Sequence, residues 1–209
     1  MPKGSPVLTN ARKEEIIAAC ETLYQTMGFK EITIKEIADY TSFSRPSIYN
    51  YFETKEEIFL ALLQKEYERW IADLEAVISS RNAMTRDEIA GALARTLERR
   101  EQLLKLMSMN HYDMEANSRM ERLTEFKKAY GRSLQAVDGL LRTFAPDLSA
   151  QGREEFLYAF FPFIYGIYPY AVVTDKQREA MDRAETGYVY HSIYELAFRC
   201  AKKLLEKAL

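Results

Sequence analysis

The segment Ser44-Arg45-Pro46-Ser47-Ile48-Tyr49-Asn50-Tyr51-Phe52 holds groups that can address both base edges and a phosphate backbone. The Arg45 guanidinium can donate two parallel hydrogen bonds to guanine, and the Pro46 ring offers an apolar surface to a thymine methyl. Ser47 and Asn50 can bond a base or a phosphate, and the hydroxyls of Tyr49 and Tyr51 can be placed on phosphate oxygens. Helix starts at Thr33 and Thr54 would present free N–H groups to phosphates, with Lys35 and Lys55 beside them.

Catalytic chemistry has much less to work with. The chain contains no Gly-x-Gly-x-x-Gly, no P-loop, no Gly-x-Ser-x-Gly and no His-Glu-x-x-His. Only His111 and His191 are present, too few for a multi-histidine metal site. Cys20 and Cys200 stand at opposite ends without a C-x-x-C spacing, which points to a reducing compartment rather than a disulfide framework. The expectation is a protein that is not an enzyme and needs no cofactor. The start, MPKGSPVLTNARKEE, lacks the apolar core of a signal peptide. The longest uncharged run, Phe156 to Thr174, is interrupted by two Pro, one Gly and four Tyr, so no membrane span is expected. A cytoplasmic location follows as the expectation.

The base-addressing residues need a scaffold, and the hydrophobic period describes a helical one. Ile16, Cys20, Leu23 and Met27 recur at three- and four-residue steps, a helix capped by Thr9 or Asn10 and ended by Gly28. Thr33-Ile34-Lys35-Glu36 is a capping box opening a short helix. Ser44 can cap the next helix, where Pro46 is tolerated because first-turn N–H groups lack helical partners. Thr54-Lys55-Glu56-Glu57 reads as a second box and opens a long helix through Val77. Thr85-Arg86-Asp87-Glu88 is a third, followed by helices at about 86–99 and about 101–109. Residues 110 to 117 read as polar and irregular. A long helix ends near Pro146, one from about 150 to 172 is kinked by Pro162, a short one starts at Thr174, and the last runs from about 188 to 207. With no strand-length alternation, the fold class is all-α with about nine or ten helices. The organisation expected is an N-terminal helix-turn-helix domain over 1–55 and a C-terminal domain over 56–209.

Three helices in this order, with four residues turning between the second and third, form a helix-turn-helix whose last helix enters the major groove. Residues 10 to 60 resemble the N-terminal domain of the TetR family of transcriptional repressors. The likeness rests on Thr33-Ile34-Lys35-Glu36-Ile37-Ala38, on Ser44 to Phe52, and on Lys55-Glu56-Glu57-Ile58. The resemblance implies that Lys35, Arg45, Pro46, Ser47 and Tyr49 meet bases or nearby backbone, and that Tyr51 and Lys55 face phosphate. It also implies a homodimer on a near-palindromic double-stranded DNA operator, released by a small-molecule effector. Family turns often read Ala-Gly-Val-Ser, whereas this chain has Thr41-Ser42-Phe43-Ser44, so Ser42 must make the turn without glycine's freedom.

Charge argues the other way. Residues 1 to 66 hold eight Lys/Arg and ten Asp/Glu, and the whole chain has a formal charge of −2. DNA-binding domains are usually basic. The expectation is that Glu14, Glu15, Glu21, Glu56 and Glu57 lie away from DNA. The other reading is a helical adaptor or co-regulator that keeps the fold without binding DNA.

In the C-terminal half, Phe156 to Val173 carries eight aromatic residues. They suit a core and dimer interface, or an apolar pocket with polar handles. Pocket candidates are Met107, Asn110, His111, Tyr112, Phe126, Tyr130, Phe160, Phe163 and Tyr165, with Leu103 and Met114 nearby in sequence. The effector they suit is small and apolar or aromatic.

Overall fold

The computed structural model describes residues 5–109 and 111–207, except the side chains of 111 and 207. Twelve helices and no strands are present among the described residues. In order they are α1 (Pro6–Thr26), α2 (Ile34–Asp39), α3 (Arg45–Ile48), α4 (Lys55–Ser79), α5 (Arg86–Glu98), α6 (Glu101–Met107), α7 (His111–Ala116), α8 (Met120–Phe144), α9 (Ala150–Gly166), α10 (Tyr168–Ala171), α11 (Asp175–Arg183) and α12 (Ile193–Lys207). None of them is long and apolar enough to cross a membrane.

Two additions raise the count above the expected nine or ten. The stretch 110–117, expected to be irregular, contains α7. It buries Met114 and is closed by side chains: Asn117 Nδ2 donates to the Asp113 carbonyl at 2.8 Å and Ser118 Oγ to the Met114 carbonyl at 2.7 Å. The expected single helix over 150–172 is two helices. It runs on through Pro162 and breaks at Ile167 instead, where Pro169 has no N–H to give the ladder.

Helix starts follow side-chain chemistry. Thr33, Thr85 and Thr174 close complete capping boxes with Glu36, Glu88 and Gln177. The first helix starts earlier than expected, because Ser5 rather than Thr9 or Asn10 caps it, with its oxygen accepting the Leu8 N–H. The last helix starts later than 188, after Ser192, whose hydroxyl accepts the Glu195 N–H while Glu195 accepts the Ser192 N–H. Ser44 makes no capping bond, and its hydroxyl lies 3.2 Å from that of Ser47. At Thr54 the box is only half formed. Its hydroxyl accepts the Glu57 N–H, but the Glu57 carboxylate bonds the Glu53 N–H and Arg119.

The chain divides into two compact units. The first is Met1–Lys65 with Asn110–Lys128, and the second Glu66–Met109 with Ala129–Leu209. Neither unit is a single stretch of sequence. In the first, α1, α2 and α3 bury Ile16, Cys20, Leu23, Ile37 and Ile48, with Phe52, Ile58 and Phe59. The Phe59 ring meets those of Tyr24 and Phe29 edge-on at 5.1 and 4.8 Å. Each such pair adds about 0.5–1.5 kcal/mol beyond burial. In the second unit α12 lies along α5 and also packs on α9. Buried Trp70 and Phe161 sit beside Tyr130, and the Tyr67 and Tyr165 hydroxyls bond at 2.7 Å.

Candidate nucleic-acid interface

The first unit presents α2, a short turn and α3. Thr33 fixes the start of α2: its hydroxyl accepts from the Lys35 and Glu36 N–H groups, and the Glu36 carboxylate accepts the Thr33 N–H at 3.1 Å. Thr33 and Lys35 are exposed. The turn holds without a left-handed residue. Among the described residues the one non-glycine with positive φ is Glu185, so Ser42 bears no such strain. Instead the Glu15 carboxylate on α1 accepts the Ser42 N–H, and the Thr41 hydroxyl lies within 2.9 and 3.0 Å of the Ala38 and Phe43 carbonyls.

Helix α3 is only four residues long, and its register is held by the fully buried Ile48. Two N–H groups, of Tyr51 and Phe52, return to the Ile48 carbonyl at 2.8 and 3.0 Å. That geometry leaves Ser44, Arg45, Pro46, Tyr49 and Asn50 exposed, with Ser47 half-buried. The Arg45 guanidinium donates to the Tyr49 hydroxyl at 3.3 Å, one helical turn on. Its remaining donors can still form a fork toward a guanine edge.

Tyr51 is held from two sides. Arg12 donates to its hydroxyl at 3.1 Å, while Arg119 and Arg122 donate to its carbonyl at 3.3 and 3.2 Å. Arg122 also lies over the Phe52 ring at 5.3 Å. Lys55 departs from the phosphate-facing expectation. Its ammonium donates to the Phe29 and Ile32 carbonyls at 2.8 and 3.1 Å and sits 4.2 Å above the Phe29 ring. It ties α4 to the loop between α1 and α2.

Arg119 and Asn117, outside the sequence motif, anchor this surface through Glu57 and Thr54. Glu57, fully buried, accepts from Arg119 through Nε and Nη2, both at 2.7 Å, and from the Arg119 N–H at 3.0 Å. Burial alone would raise this carboxyl, but the hydrogen bonds from Arg119 and the Glu53 N–H outweigh it and hold it at about 2. Thr54 adds a bond from its hydroxyl to the Asn117 carbonyl at 2.8 Å. The acids of this unit thus have structural work: Glu14 and Glu21 pair with Lys65, Glu15 holds the turn, and Glu57 holds Arg119. The chain spacing between residue 57 and residues 119–122 hides this arrangement from a reading of local motifs.

The proposed effector residues divide between the two units. Phe126 is buried and Tyr112 is 87% exposed, both in the first unit. Met107, Phe160, Phe163, Tyr130 and Tyr165 belong to the second. There Met107, Phe160 and Leu103 are buried, and Tyr130 and Tyr165 share the aromatic cluster with ring centroids 6.5 Å apart. Asn110 and the His111 side chain lie outside the described residues. An open groove of about 500 Å³ in the second unit is lined by none of the candidates, but by residues such as Glu68, Ile71, Arg132 and Gln135.

Two family models cover most of the chain. Residues 16–62 match the model of bacterial regulatory proteins of the tetR family, and residues 64–191 match the tetracyclin repressor-like C-terminal domain. The chain belongs to the TetR family. An uncharacterized HTH-type transcriptional regulator of Bacillus subtilis, YfiR, is 28% identical over 74 residues, 35% of this chain and 36% of that protein. The matched stretch therefore spans about a third of that relative. Among solved structures, a TetR/AcrR-family transcriptional regulator from Thermobifida fusca aligns with a TM-score of 0.60 at 17% identity, over 95% of this chain and 99% of that one. The regulator FadR from Bacillus subtilis, in complex with stearoyl-CoA, aligns with a TM-score of 0.56 at 18% identity, over 94% and 98%. These likenesses carry the TetR fold over 94–95% of the chain. The TetR family consists of regulators and not of enzymes, which accords with the lack of catalytic motifs.

Proposed function

We propose that this TetR-family chain is a sequence-specific DNA-binding transcriptional regulator, a repressor that binds a near-palindromic operator as a homodimer. The carrying observation is the exposed Arg45-Pro46-Tyr49-Asn50 surface on and just after a short helix with a fully buried anchor, Ile48. Arg45, Pro46 and Ser47 read base edges, with Tyr49 positioning Arg45. Thr33, Lys35, Ser44, Asn50 and Tyr51 meet the backbone. Lys55 acts here as a support of the loop before α2. Two recognition helices in successive major grooves require centres about 34–36 Å apart.

The dimer interface is drawn from α9 and α12, whose exposed or half-exposed aromatics include Tyr158, Tyr194 and Phe198. A small apolar effector, bound in the second unit near Tyr130 and Tyr165, selects a form of the dimer with the wrong spacing. The fold shared with a FadR that holds stearoyl-CoA is compatible with an apolar ligand of this kind. A hundredfold loss of DNA affinity needs about 2.7 kcal/mol of coupling. Such a regulator works in the cytoplasm, where its operator lies.

The test is genomic-fragment selection with purified full-length protein at about physiological salt, followed by footprinting. An enriched near-palindrome is the expected result. No enrichment at any salt, from a folded protein, overturns DNA reading and favours the adaptor.

A further inference from the structure

The second unit contains a hollow of about 210 Å³ that the readings above leave unused. It is lined by Arg81, Arg95 and Arg99 together with the apolar groups of Val77, Met84 and Ala92. Several arginines of this unit are matched with acids, Arg86 with Asp147, Arg100 with Asp73, Arg132 with Glu68 and Arg153 with Asp138, whereas Arg199 bonds His191 and Arg178 lies over the Tyr190 ring. Among the described residues, Arg81, Arg95 and Arg99 make no ion pair within 4.0 Å. The one carboxylate on the lining, Glu88, is committed to the Thr85 N–H and hydroxyl in a capping box. Three guanidinium groups against one occupied carboxylate leave the hollow with a surplus matching a dianion.

The helix dipole gives only part of the explanation. Arg99 is the C-cap of α5, where a cation faces the negative end of the helix. Arg95 does otherwise. Its guanidinium folds back over Gly91, where an added Cβ would lie 3.3 Å from Nη2, a turn away from the terminal carbonyls. Arg81 comes from the connection between α4 and α5. The three, all exposed, border the hollow from separate backbone positions. Guanidinium forks match phosphate oxygens. Pockets for drug-sized ligands run from about 300 Å³ upward, so this one suits a body of about one ring.

We propose that this hollow is a binding site for a small phosphate monoester, with its phosphate on Arg95 and Arg99 and its apolar body against Val77, Met84 and Ala92. It is distinct from both the DNA-reading surface and the effector residues proposed above, and stands if either of those fails.

The chain carries its own reporter. Its single tryptophan, Trp70, donates from Nε1 at 3.0 Å to the hydroxyl of Thr96, which also lines the hollow. Full-length protein at about pH 7.5, where phosphate esters are mostly dianionic, is titrated with inorganic phosphate and with phenyl phosphate at constant ionic strength. Trp70 emission is read, with ³¹P line broadening as a signal independent of the indole. Both ligands should saturate, with phenyl phosphate about tenfold tighter because its ring buries apolar surface. The double variant R95Q/R99Q should weaken both at least about tenfold, whereas R142Q, an exposed arginine on α8, should leave them unchanged. Circular dichroism establishes that the variants are folded. Absence of saturation by either signal, or equal binding by R95Q/R99Q, overturns the site. Binding of inorganic phosphate without phenyl phosphate overturns the ester as the ligand class.

Discussion

Arg45 and Lys55 are both cationic residues in the recognised motif, yet their surroundings give them different work. Arg45 is exposed and steadied by Tyr49. Arg45→Ala should relax sequence preference at one operator position and cost on the order of 1–3 kcal/mol. Binding to a library of operator variants checks this, and an equal loss on every sequence would remove Arg45 from base reading. Lys55 is held on two loop carbonyls and an aromatic ring. Lys55→Met should lower stability by about 1–2 kcal/mol while leaving the salt dependence of DNA affinity unchanged. A salt slope reduced by about one would return Lys55 to the phosphate contacts. The motif gives the residue types at these positions. It does not give the direction of a flexible four-carbon stem, which depends on acceptors more than twenty residues away.

At the scale of elements, local chemistry predicts starts well and connections poorly. Thr33, Thr85 and Thr174 each find the acid or amide three residues on, so these helix starts are legible. Ser192 and Glu195 carry the same signal, which the longer apolar pattern from Tyr190 obscures. Helix α7 has too few apolar residues for a period, and what closes it are Asn117 and Ser118 beyond its end. The Glu57–Arg119 pair is the least legible of all, because it joins the first turn of α4 to the start of α8 across long sequence separation. It also makes a pH prediction. The Glu57 carboxyl is held down at about 2 in the fold, against an ordinary 4.5. Its stabilisation, on the order of 3 kcal/mol, is present above about pH 4.5 and is lost as pH falls toward 2. Melting curves over that window should show this loss, and Glu57→Gln should flatten that part of the profile. A variant as acid-sensitive as the parent would assign the loss to other carboxylates.

For the whole molecule, the proposed pairing of two copies through the second unit carries its own prediction. Tyr158 is 73% exposed on α9, a large ring left to water in the isolated chain. If α9 and α12 pair two copies, Tyr158→Glu should shift sedimentation from dimer toward monomer and weaken operator binding together. A variant that stays dimeric at low micromolar concentration places the interface elsewhere. The all-helical class is legible from periodicity and capping, but the division into units is not, because residues 110–128 return to the first unit after the chain has entered the second. That return has a consequence for how the protein is made. The clamps from Arg119 and Arg122 on Tyr51 cannot form until those arginines have been synthesised. At about 5–20 residues per second, the DNA-reading surface waits several seconds on the ribosome, complete in sequence but lacking part of its support. A nascent chain arrested before residue 119 has emerged should therefore hold its helix-turn-helix less firmly than the released protein does.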